Sequence, residues 1–330
     1  MPPMHAIRQH AFGPPENLRY EEVDDPRPGS GEVRVSVAAA GVHLIDTSIR
    51  AGVQGGPYPL PELPMTPGRE VAGTVDAINA DVDKEWLGRR VVAHLGMASG
   101  GYAERAVANI ASLHVLPEGL AADVAVAMIG TGRTTLAVLE VGDLRADDVV
   151  LVTAAAGGMG SLLVQAARNV GATVVAVAGG AAKVDLARSL GATFAVDYTQ
   201  PDWADAVRKE LDGREVTVAF DGVGGELGRG ALELLGPGGR LVLYGYSSGT
   251  PTQITTGDLF SRGIGASAAI GPRIMKRPGG LRDLETKALA EAAAGRLVPL
   301  IGPRYALADA AAAHRAMEAR ATVGKTVLVP

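Results

Sequence analysis

Two patterns of hydrophobic and polar positions divide the chain. From residue 32 to about residue 95, short β-rich stretches such as EVRVSVAAAGV (32–42) and EVAGTVDAI (70–78) are separated by Gly and Pro. That pattern indicates mostly antiparallel β-structure. After about residue 121, apolar runs alternate with segments whose apolar residues recur at helical spacing. The second pattern is typical of βαβ units and a parallel sheet.

The second region predicts strands that are apolar along their whole length, as expected when both faces are buried. They lie at residues 149–155, 173–178, 193–198, 216–221 and 240–245. Helical segments separate them, and several of these end in glycine. Five strands with four crossovers predict a doubly wound sheet. The glycine-rich stretch GIGASAAIG (263–271) shows no clear pattern, and we expect the closing strand KTVLV (325–329) to return to the first domain.

Length and composition limit the class of protein. At 330 residues, the chain is long enough for two domains. It is 47% hydrophobic and 20% charged, and we see no apolar run of about 20 residues and no secretory signal. We therefore expect a cytoplasmic protein that spans no membrane. The net charge of -5 argues against a nucleic-acid partner, which normally requires a basic face.

The absence of cysteine excludes several kinds of chemistry. A chain without cysteine has no disulfides, no thiolate nucleophile, no cysteine-ligated zinc and no iron–sulfur cluster. Six histidines remain as potential ligands, and none of them forms a spacing that places two on one helix face. We therefore expect no catalytic metal.

A glycine-rich segment predicts a nucleotide site. AAAGGMG (154–160) follows a predicted strand and opens a predicted helix, which is the context of a dinucleotide-binding fingerprint. Gly157 and Gly158 allow the backbone to approach a pyrophosphate, and the amides at the helix start, near Met159, can bind its oxygens. Gly160 permits close packing of helix on sheet. A plain glycine turn is the alternative.

The end of the second strand of this region favours NADPH over NADH. An NAD site usually has an acidic residue there, about 20 residues after the fingerprint, to bind the ribose 2′-hydroxyl. Here the strand ends in Ala178, Gly179 and Gly180, and Lys183 follows one turn into the next helix. A lysine can bind the 2′-phosphate of NADPH. Alternatively, Lys183 is an ordinary surface lysine.

Several separated motifs together resemble one family, the zinc-independent quinone oxidoreductase branch of the medium-chain dehydrogenase/reductases, which includes zeta-crystallin. The motifs are AAAGVHLIDTSIRAG (38–52), TPGREVAGTV (66–75), AAAGGMGSLLVQAAR (154–168), FDGVGG (220–225), GRLVLYGYSSG (239–249) and HRAMEARATVGKTVLVP (314–330). The resemblance implies an α/β protein with a GroES-like, mostly β catalytic domain at residues 1–124 and 267–330. A doubly wound parallel Rossmann domain for NADPH is expected at residues 125–266, with the active site between the two. The resemblance also implies a homodimer assembled through residues 263–271.

Residue-by-residue matching to the family implies a set of cofactor contacts. The 2′-phosphate would be bound by Gly180, Lys183 and Tyr198, although Tyr198 can also be read as a core aromatic at a strand end. The remaining implied contacts are Thr134, Tyr244, Gly245, Ser247 and Lys325.

The same matching places His43, Arg69 and Thr131 at the positions where zinc-dependent relatives have Cys, His and Cys ligands. Only His43 could ligate a metal, and the cationic Arg69 would repel Zn²⁺. We expect Glu70, which is part of the shared motif, to pair with a nearby arginine.

Without zinc, the expected reaction is NADPH-dependent hydride transfer to a quinone or a similar conjugated carbonyl, which stabilises its own developing oxyanion. His43, Ser48 and Tyr58 are the candidate catalytic residues, and Thr47 is a further hydrogen-bond donor. Ser48 stands where the family commonly has Tyr, and His43 where it has Asn. The alternatives are an enoyl or alkenal double-bond reductase and a non-catalytic, crystallin-like NADPH-binding protein.

Overall fold

The computed structural model describes residues 3–54 and 59–330, and these residues form two compact units. The first unit comprises the described residues up to 131 together with residues 285–294 and 299–330, and the second comprises residues 132–284 and 295–298. The strands, in chain order, are β1 (Met4–Gln9), β2 (Leu18–Val23), β3 (Glu32–Val42), β4 (Glu70–Ile78), β5 (Arg90–His94), β6 (Arg105–Asn109), β7 (Leu113–Val115), β8 (Val149–Val152), β9 (Thr173–Ala178), β10 (Phe194–Asp197), β11 (Val216–Asp221), β12 (Leu235–Leu243), β13 (Gly265–Ala268), β14 (Ile301–Ala306) and β15 (Lys325–Val329).

The helices of the described residues are distributed over both units, and five of them connect successive strands of the second unit. In chain order they are α1 (Leu44–Ala51), α2 (Ala122–Ala127), α3 (Arg133–Gly142), α4 (Gly158–Asn169), α5 (Ala181–Ser189), α6 (Trp203–Leu211), α7 (Gly225–Glu233), α8 (Thr256–Arg262), α9 (Pro272–Met275), α10 (Gly280–Ala293) and α11 (Ala310–Glu318).

The first unit is built on a seven-stranded mixed sheet of order β14-β15-β3-β4-β5-β7, in which β6 also pairs with β3. The last strand, β15, runs antiparallel to β3 and pairs Thr326 with Val42. The strand at the C-terminal end of the sequence therefore lies beside β3, as expected. A core of Val, Ala, Leu and Ile side chains fills the interior, and Trp86 packs against it.

The second unit contains a six-stranded parallel sheet of order β10-β9-β8-β11-β12-β13. The chain starts at β8 in the middle, moves outward to β10 and then returns to build β11 to β13 on the other side. This doubly wound order confirms the predicted α/β fold class. Buried Val and Leu side chains form the core of this unit, and Trp203 packs against it.

One strand of the second unit was not predicted. β13 lies within the glycine-rich stretch at residues 263–271 and pairs in parallel with β12, so the sheet has six strands instead of five. Its sequence, Gly-Ala-Ser-Ala, lacks the β-branched and aromatic residues that mark a strand in sequence. Backbone pairing with β12 therefore fixes this strand without help from residue propensity.

The compact units do not coincide with the predicted domain limits. Residues 125–131 lie with the first unit, and residues 267–284 lie with the second. The pairing of β13 with β12 explains why the chain stays with the second unit beyond residue 266. The division into domains at 124 and 266 stays a prediction.

One helical stretch, Ala122–Gly142, is long and apolar enough to cross a membrane, which we did not expect from the sequence. Two thirds of its most apolar window is buried inside the protein, and a buried core helix has the same composition. The stretch includes a π-helical turn at Met128–Gly132 between α2 and α3. Such turns widen a helix locally and often occur at functional sites.

Candidate active site and nucleotide site

The first unit contains a buried cluster of three ionisable side chains. Glu70 begins β4, Lys325 begins β15, and His43 lies between β3 and α1. The Lys325 ammonium donates to Glu70 Oε2 at 2.7 Å and lies 2.7 Å from His43 Nε2. That same imidazole nitrogen is 2.6 Å from Glu70 Oε1. Glu70 and Lys325 are buried, whereas a quarter of the His43 side chain is exposed, so the cluster reaches solvent through the imidazole.

Two glycines make room for this cluster. A Cβ atom on Gly130, in the π-helical turn, would lie 1.6 Å from Glu70 Oε1. A Cβ atom on Gly41, near the end of β3, would lie 2.3 Å from Glu70 Oε2 and 2.9 Å from Lys325 Cε. A Cβ atom at either position would clash with the Glu70 carboxylate, so the carboxylate fits only because both positions are glycine.

The charge of Glu70 is stabilised by its neighbours. Burial alone would raise the pKa of Glu70, but the adjacent His43 and Lys325 hold that pKa well below its usual value. The carboxylate is therefore ionised at neutral pH. Its cationic partner is Lys325, so the expectation that Glu70 pairs with an arginine is wrong. The neighbouring Arg69 instead bonds Asp46, with Nη2 3.2 Å from Oδ1.

A second buried network lies behind α1 in the first unit. The Tyr102 hydroxyl donates to Asp46 at 3.2 Å and lies 3.3 Å from His314 Nε2. Burial and the Asp46 carboxylate raise the pKa of Tyr102 well above its usual value. Burial lowers the pKa of His314 to about 4, against the opposing effect of Asp46. At neutral pH, Tyr102 and His314 are therefore both uncharged.

Of the three positions that the resemblance assigns to zinc ligands, His43 faces a cationic side chain and Arg69 is itself a cation. The imidazole nitrogen of His43 faces the Lys325 ammonium, and Arg69 places a guanidinium on Asp46. A Zn²⁺ ion would be repelled by both groups. Within residues 3–54 and 59–330, no group of three or more His, Cys, Asp or Glu side chains is arranged to hold a metal. This donor set does not fit a catalytic zinc.

The other predicted catalytic residues have different surroundings. Thr47 is buried on α1, and its hydroxyl donates to the carbonyl oxygen of Leu44 at 2.7 Å, so this proton is already engaged. Ser48 is half-buried on the same helix. Tyr58 lies outside the described residues.

The predicted nucleotide-binding residues of the second unit, apart from Thr134 on α3, follow the ends of strands of the parallel sheet. The carboxyl ends of parallel strands meet at one edge of a sheet, which is where such folds bind nucleotides. After β8, the chain turns through Ala154, which adopts a positive φ of 47°, and enters α4 at Gly158. A Cβ atom on Gly160 would lie 2.3 Å from the carbonyl oxygen of Ala154. This glycine therefore permits the close packing of helix and strand that the sequence predicted.

The remaining predicted cofactor contacts are partly exposed. Gly157, Gly158, Met159, Thr134 and Lys183 are half-buried, as are Tyr244 and Gly245, while Ser247 is exposed. Lys325 is different, because it is buried in the first unit with its ammonium on Glu70. All of these assignments as cofactor contacts stay predictions.

The turn after β9 is bonded to a residue that was not predicted as part of the site, Asp197 at the end of β10. Gly180 has a φ of 87° and open space at its Cβ position, and its amide donates to Asp197 Oδ1 at 2.8 Å. The Tyr198 hydroxyl lies against Gly179, where a Cβ atom would be 2.8 Å away. β9 itself ends without an acid, as its sequence shows, but the neighbouring parallel strand places a carboxylate at this turn.

A second buried carboxylate, Asp221, ends β11. It is fully buried and accepts hydrogen bonds from the hydroxyls of Thr153 at 3.1 Å and Thr252 at 2.6 Å. The backbone amides of Val223 and Gly224 donate to it at 2.9 and 3.2 Å. Asp221 thus holds the turn that follows β11.

Comparison with known proteins identifies relatives over the whole chain. Residues 29–118 match the alcohol dehydrogenase GroES-like domain, and residues 158–284 match the zinc-binding dehydrogenase family. A quinone oxidoreductase from Pseudomonas aeruginosa is 34% identical over 98% of this chain and 99% of its own length. A 2-haloacrylate reductase from a Burkholderia species is 33% identical over 97% of each chain.

A solved structure agrees with these relatives. The Escherichia coli quinone oxidoreductase, crystallised with NADPH, superposes with a TM-score of 0.87 and 29% identity, covering 99% of this chain and 100% of that protein.

Proposed function

Because this chain belongs to the zinc-independent quinone oxidoreductase branch of the medium-chain dehydrogenase/reductase family, we propose that it reduces quinones or similar conjugated carbonyls with NADPH. The observation that carries the proposal is the contact of 2.7 Å between the Lys325 ammonium and His43 Nε2. The side chain that matches a zinc ligand of zinc-dependent relatives thus faces an ammonium group, which would repel a metal cation. The reaction then requires an acceptor that stabilises its own negative charge, as quinones do.

The described residues of the second unit fit NADPH. Gly157, Gly158 and Met159 would hold the pyrophosphate, while Gly180, Lys183 and Tyr198 would surround the 2′-phosphate. The open space at Gly180 and the close approach at Gly160 support this assignment. When bound, NADPH supplies the hydride. Thr134, Tyr244, Gly245, Ser247 and Lys325 complete the proposed set of contacts.

His43 is the proposed hydrogen-bond and proton donor to the acceptor. Its imidazole is partly exposed, and it contacts Lys325 and Glu70, through which it can exchange a proton. Ser48, half-buried on α1, is the second proposed donor, and Tyr58 keeps the catalytic role predicted from sequence. Thr47 is a weaker candidate, because its hydroxyl already donates to Leu44.

Stopped-flow kinetics with NADPH and a panel of acceptors tests this function. We expect benzoquinones to accelerate NADPH oxidation, and we expect His43→Ala, which removes the donor, to slow this step by about 10-fold or more while NADPH affinity is unchanged. His10→Ala is the matched control, because His10 is an exposed imidazole paired with Glu21. The proposal fails if no quinone or enone accelerates oxidation.

The relative named 2-haloacrylate reductase supports a second candidate, reduction of an activated carbon–carbon double bond. Faster turnover of alkenals, crotonyl-CoA or 2-haloacrylates than of benzoquinones would favour it. Binding of NADPH without turnover of any acceptor would instead favour a non-catalytic, crystallin-like role.

The assembly we propose is a homodimer in the cytoplasm. β13 is exposed along its length at the edge of the parallel sheet, and Phe260 in the preceding helix is 89% exposed. An exposed edge strand and an exposed aromatic side chain in the preceding helix are both features suited to association with a second copy. Light scattering should report a dimer, and Phe260→Ser should shift it toward monomer. A monomeric wild type would exclude this assembly.

A further inference from the structure

The turn between β9 and α5 is held by the end of β10. Asp197 pairs with Ala178 in the parallel sheet, and the next amide, that of Tyr198, donates to the Ala178 carbonyl at 3.1 Å. Beyond this point the strands no longer pair, and the Asp197 side chain takes over by accepting from Gly180 N at 2.8 Å. Residues at the end of β10 thus fix the backbone of the Gly179–Gly180 turn.

A single carboxylate oxygen, Asp197 Oδ1, accepts the hydrogen bonds that hold this turn. Besides Gly180 N, Asp197 Oδ1 accepts from the Thr199 amide at 2.9 Å and from the Thr199 hydroxyl at 2.7 Å. These hydrogen bonds lower the pKa of Asp197, those from the Gly180 and Thr199 backbone most strongly, so the group is ionised at neutral pH. The turn therefore carries a fixed negative charge that comes from the neighbouring strand.

This charge stands where the proposed NADPH site needs positive charge. A phosphate bound by Gly180, Lys183 and Tyr198 would lie beside Gly180, whose amide is bonded to Asp197. The negative charges of the phosphate and the carboxylate would therefore repel each other. The 2′-hydroxyl of NADH carries no charge and can donate a hydrogen bond, so a carboxylate does not disfavour it. Lys183 would therefore increase the preference for NADPH over NADH, and Asp197 would decrease it.

We propose that Asp197 is a specificity-determining residue of the cofactor site, which positions the Gly179–Gly180 turn and reduces the preference for NADPH over NADH. The inference rests on the proposed NADPH function and extends it. The carboxylate has two separable effects. As a hydrogen-bond acceptor it supports binding of both cofactors, and as a charge it weakens only the one with a 2′-phosphate.

Two substitutions separate these effects. Asp197→Asn keeps an oxygen that can accept from Gly180 N and Thr199 N but removes the charge. We expect the dissociation constant of NADPH to fall by about 3- to 10-fold and that of NADH to stay within about 2-fold. Asp197→Ala removes the acceptor as well, so the dissociation constants of both cofactors should rise compared with Asp197→Asn. Asp205→Asn is the control, because Asp205 is an exposed carboxylate paired with Arg208 on α6.

Binding should be measured by calorimetry or nicotinamide fluorescence, with 2′,5′-ADP and 5′-AMP as probes that lack the nicotinamide. A rise in the NADPH preference of Asp197→Asn that is repeated with 2′,5′-ADP and fades at high salt supports the inference. A ratio that stays within about 2-fold of wild type, or equal weakening of both cofactors, overturns it while leaving the proposed function intact. Failure of the wild type to bind NADPH overturns both.

Discussion

Each unit of the protein contains a fully buried carboxylate, and the two are stabilised in different ways. Glu70 in the first unit is matched by a cation, the Lys325 ammonium at 2.7 Å. Asp221 in the second unit is surrounded by neutral donors, two hydroxyls and two backbone amides. Glu70 therefore depends on two ionisable partners, Lys325 and His43, whereas Asp221 distributes its stabilisation over several neutral donors.

The two carboxylates should therefore differ in how much stability is lost when one of their partners is removed. Removing one member of a buried ion pair leaves an uncompensated charge in a medium of low polarity, which costs several kcal/mol. Removing one of several neutral donors leaves a carboxylate that is still hydrogen-bonded. The first arrangement suits a site where a proton is to be moved, because Glu70, Lys325 and His43 can share it. The second suits a site whose only task is to hold a turn.

The largest effect is expected from Lys325→Met, which removes the cation and keeps the length of the side chain. The free energy of unfolding of the first unit should fall by about 3–5 kcal/mol, because the buried Glu70 loses the cation on Oε2 and keeps only His43 beside Oε1. The chain has two tryptophans, with Trp86 on the first core and Trp203 on the second. Urea unfolding followed by fluorescence in a Trp203→Phe background therefore reports on the first unit.

The control for this prediction is the double variant Glu70→Gln with Lys325→Met, which removes both charges. It should recover most of the stability that Lys325→Met loses, since a neutral pair needs no compensation. A double variant no more stable than the single one would mean that packing, and not the ion pair, makes Lys325 important.

A smaller effect is expected from Asp221→Asn. The amide retains an oxygen for Val223 and Gly224 but loses the charge that strengthens all of the hydrogen bonds. The free energy of unfolding of the second unit should fall by about 2 kcal/mol. Fluorescence of Trp203 in a Trp86→Phe background measures it. A loss as large as that of Lys325→Met would contradict the contrast between the two sites.

The nucleotide edge of the second unit and the charged cluster of the first unit differ in how far they could be predicted from the sequence. The predicted nucleotide edge rests on local signals, because AAAGGMG lies between an apolar strand and an amphipathic helix, the context of a dinucleotide-binding fingerprint. The strands at Thr173–Ala178 and Val216–Asp221 were predicted with the bounds that the structure has. Such strands can be recognised in a sequence because burial of both faces requires an almost continuous run of apolar residues.

The charged cluster could not be predicted in this way. Glu70 and Lys325 are 255 residues apart, and no local pattern indicates that β15 brings the lysine beside β3 and β4. The arginine next to Glu70 in sequence was the natural partner to expect, but successive side chains of a strand point to opposite faces. Asp197 was missed for a related reason, since its bond to Gly180 depends on the pairing of two strands. Contacts between distant segments are set by topology, which residue types alone do not encode.

The smallest effect is expected from Thr252→Val, which removes one hydroxyl donor from Asp221 and keeps the shape of the side chain. Three donors remain on the carboxylate, namely the Thr153 hydroxyl and two backbone amides. The free energy of unfolding of the second unit should therefore fall by only about 1 kcal/mol, measured by the same fluorescence of Trp203. Thr250→Val is the control, because the Thr250 side chain is exposed and the hydroxyl bonded to Asp221 is that of Thr252. If Thr252→Val instead costs as much as Asp221→Asn, the stabilisation of Asp221 is concentrated in its bond of 2.6 Å to Thr252, and the two carboxylates are held in the same way after all.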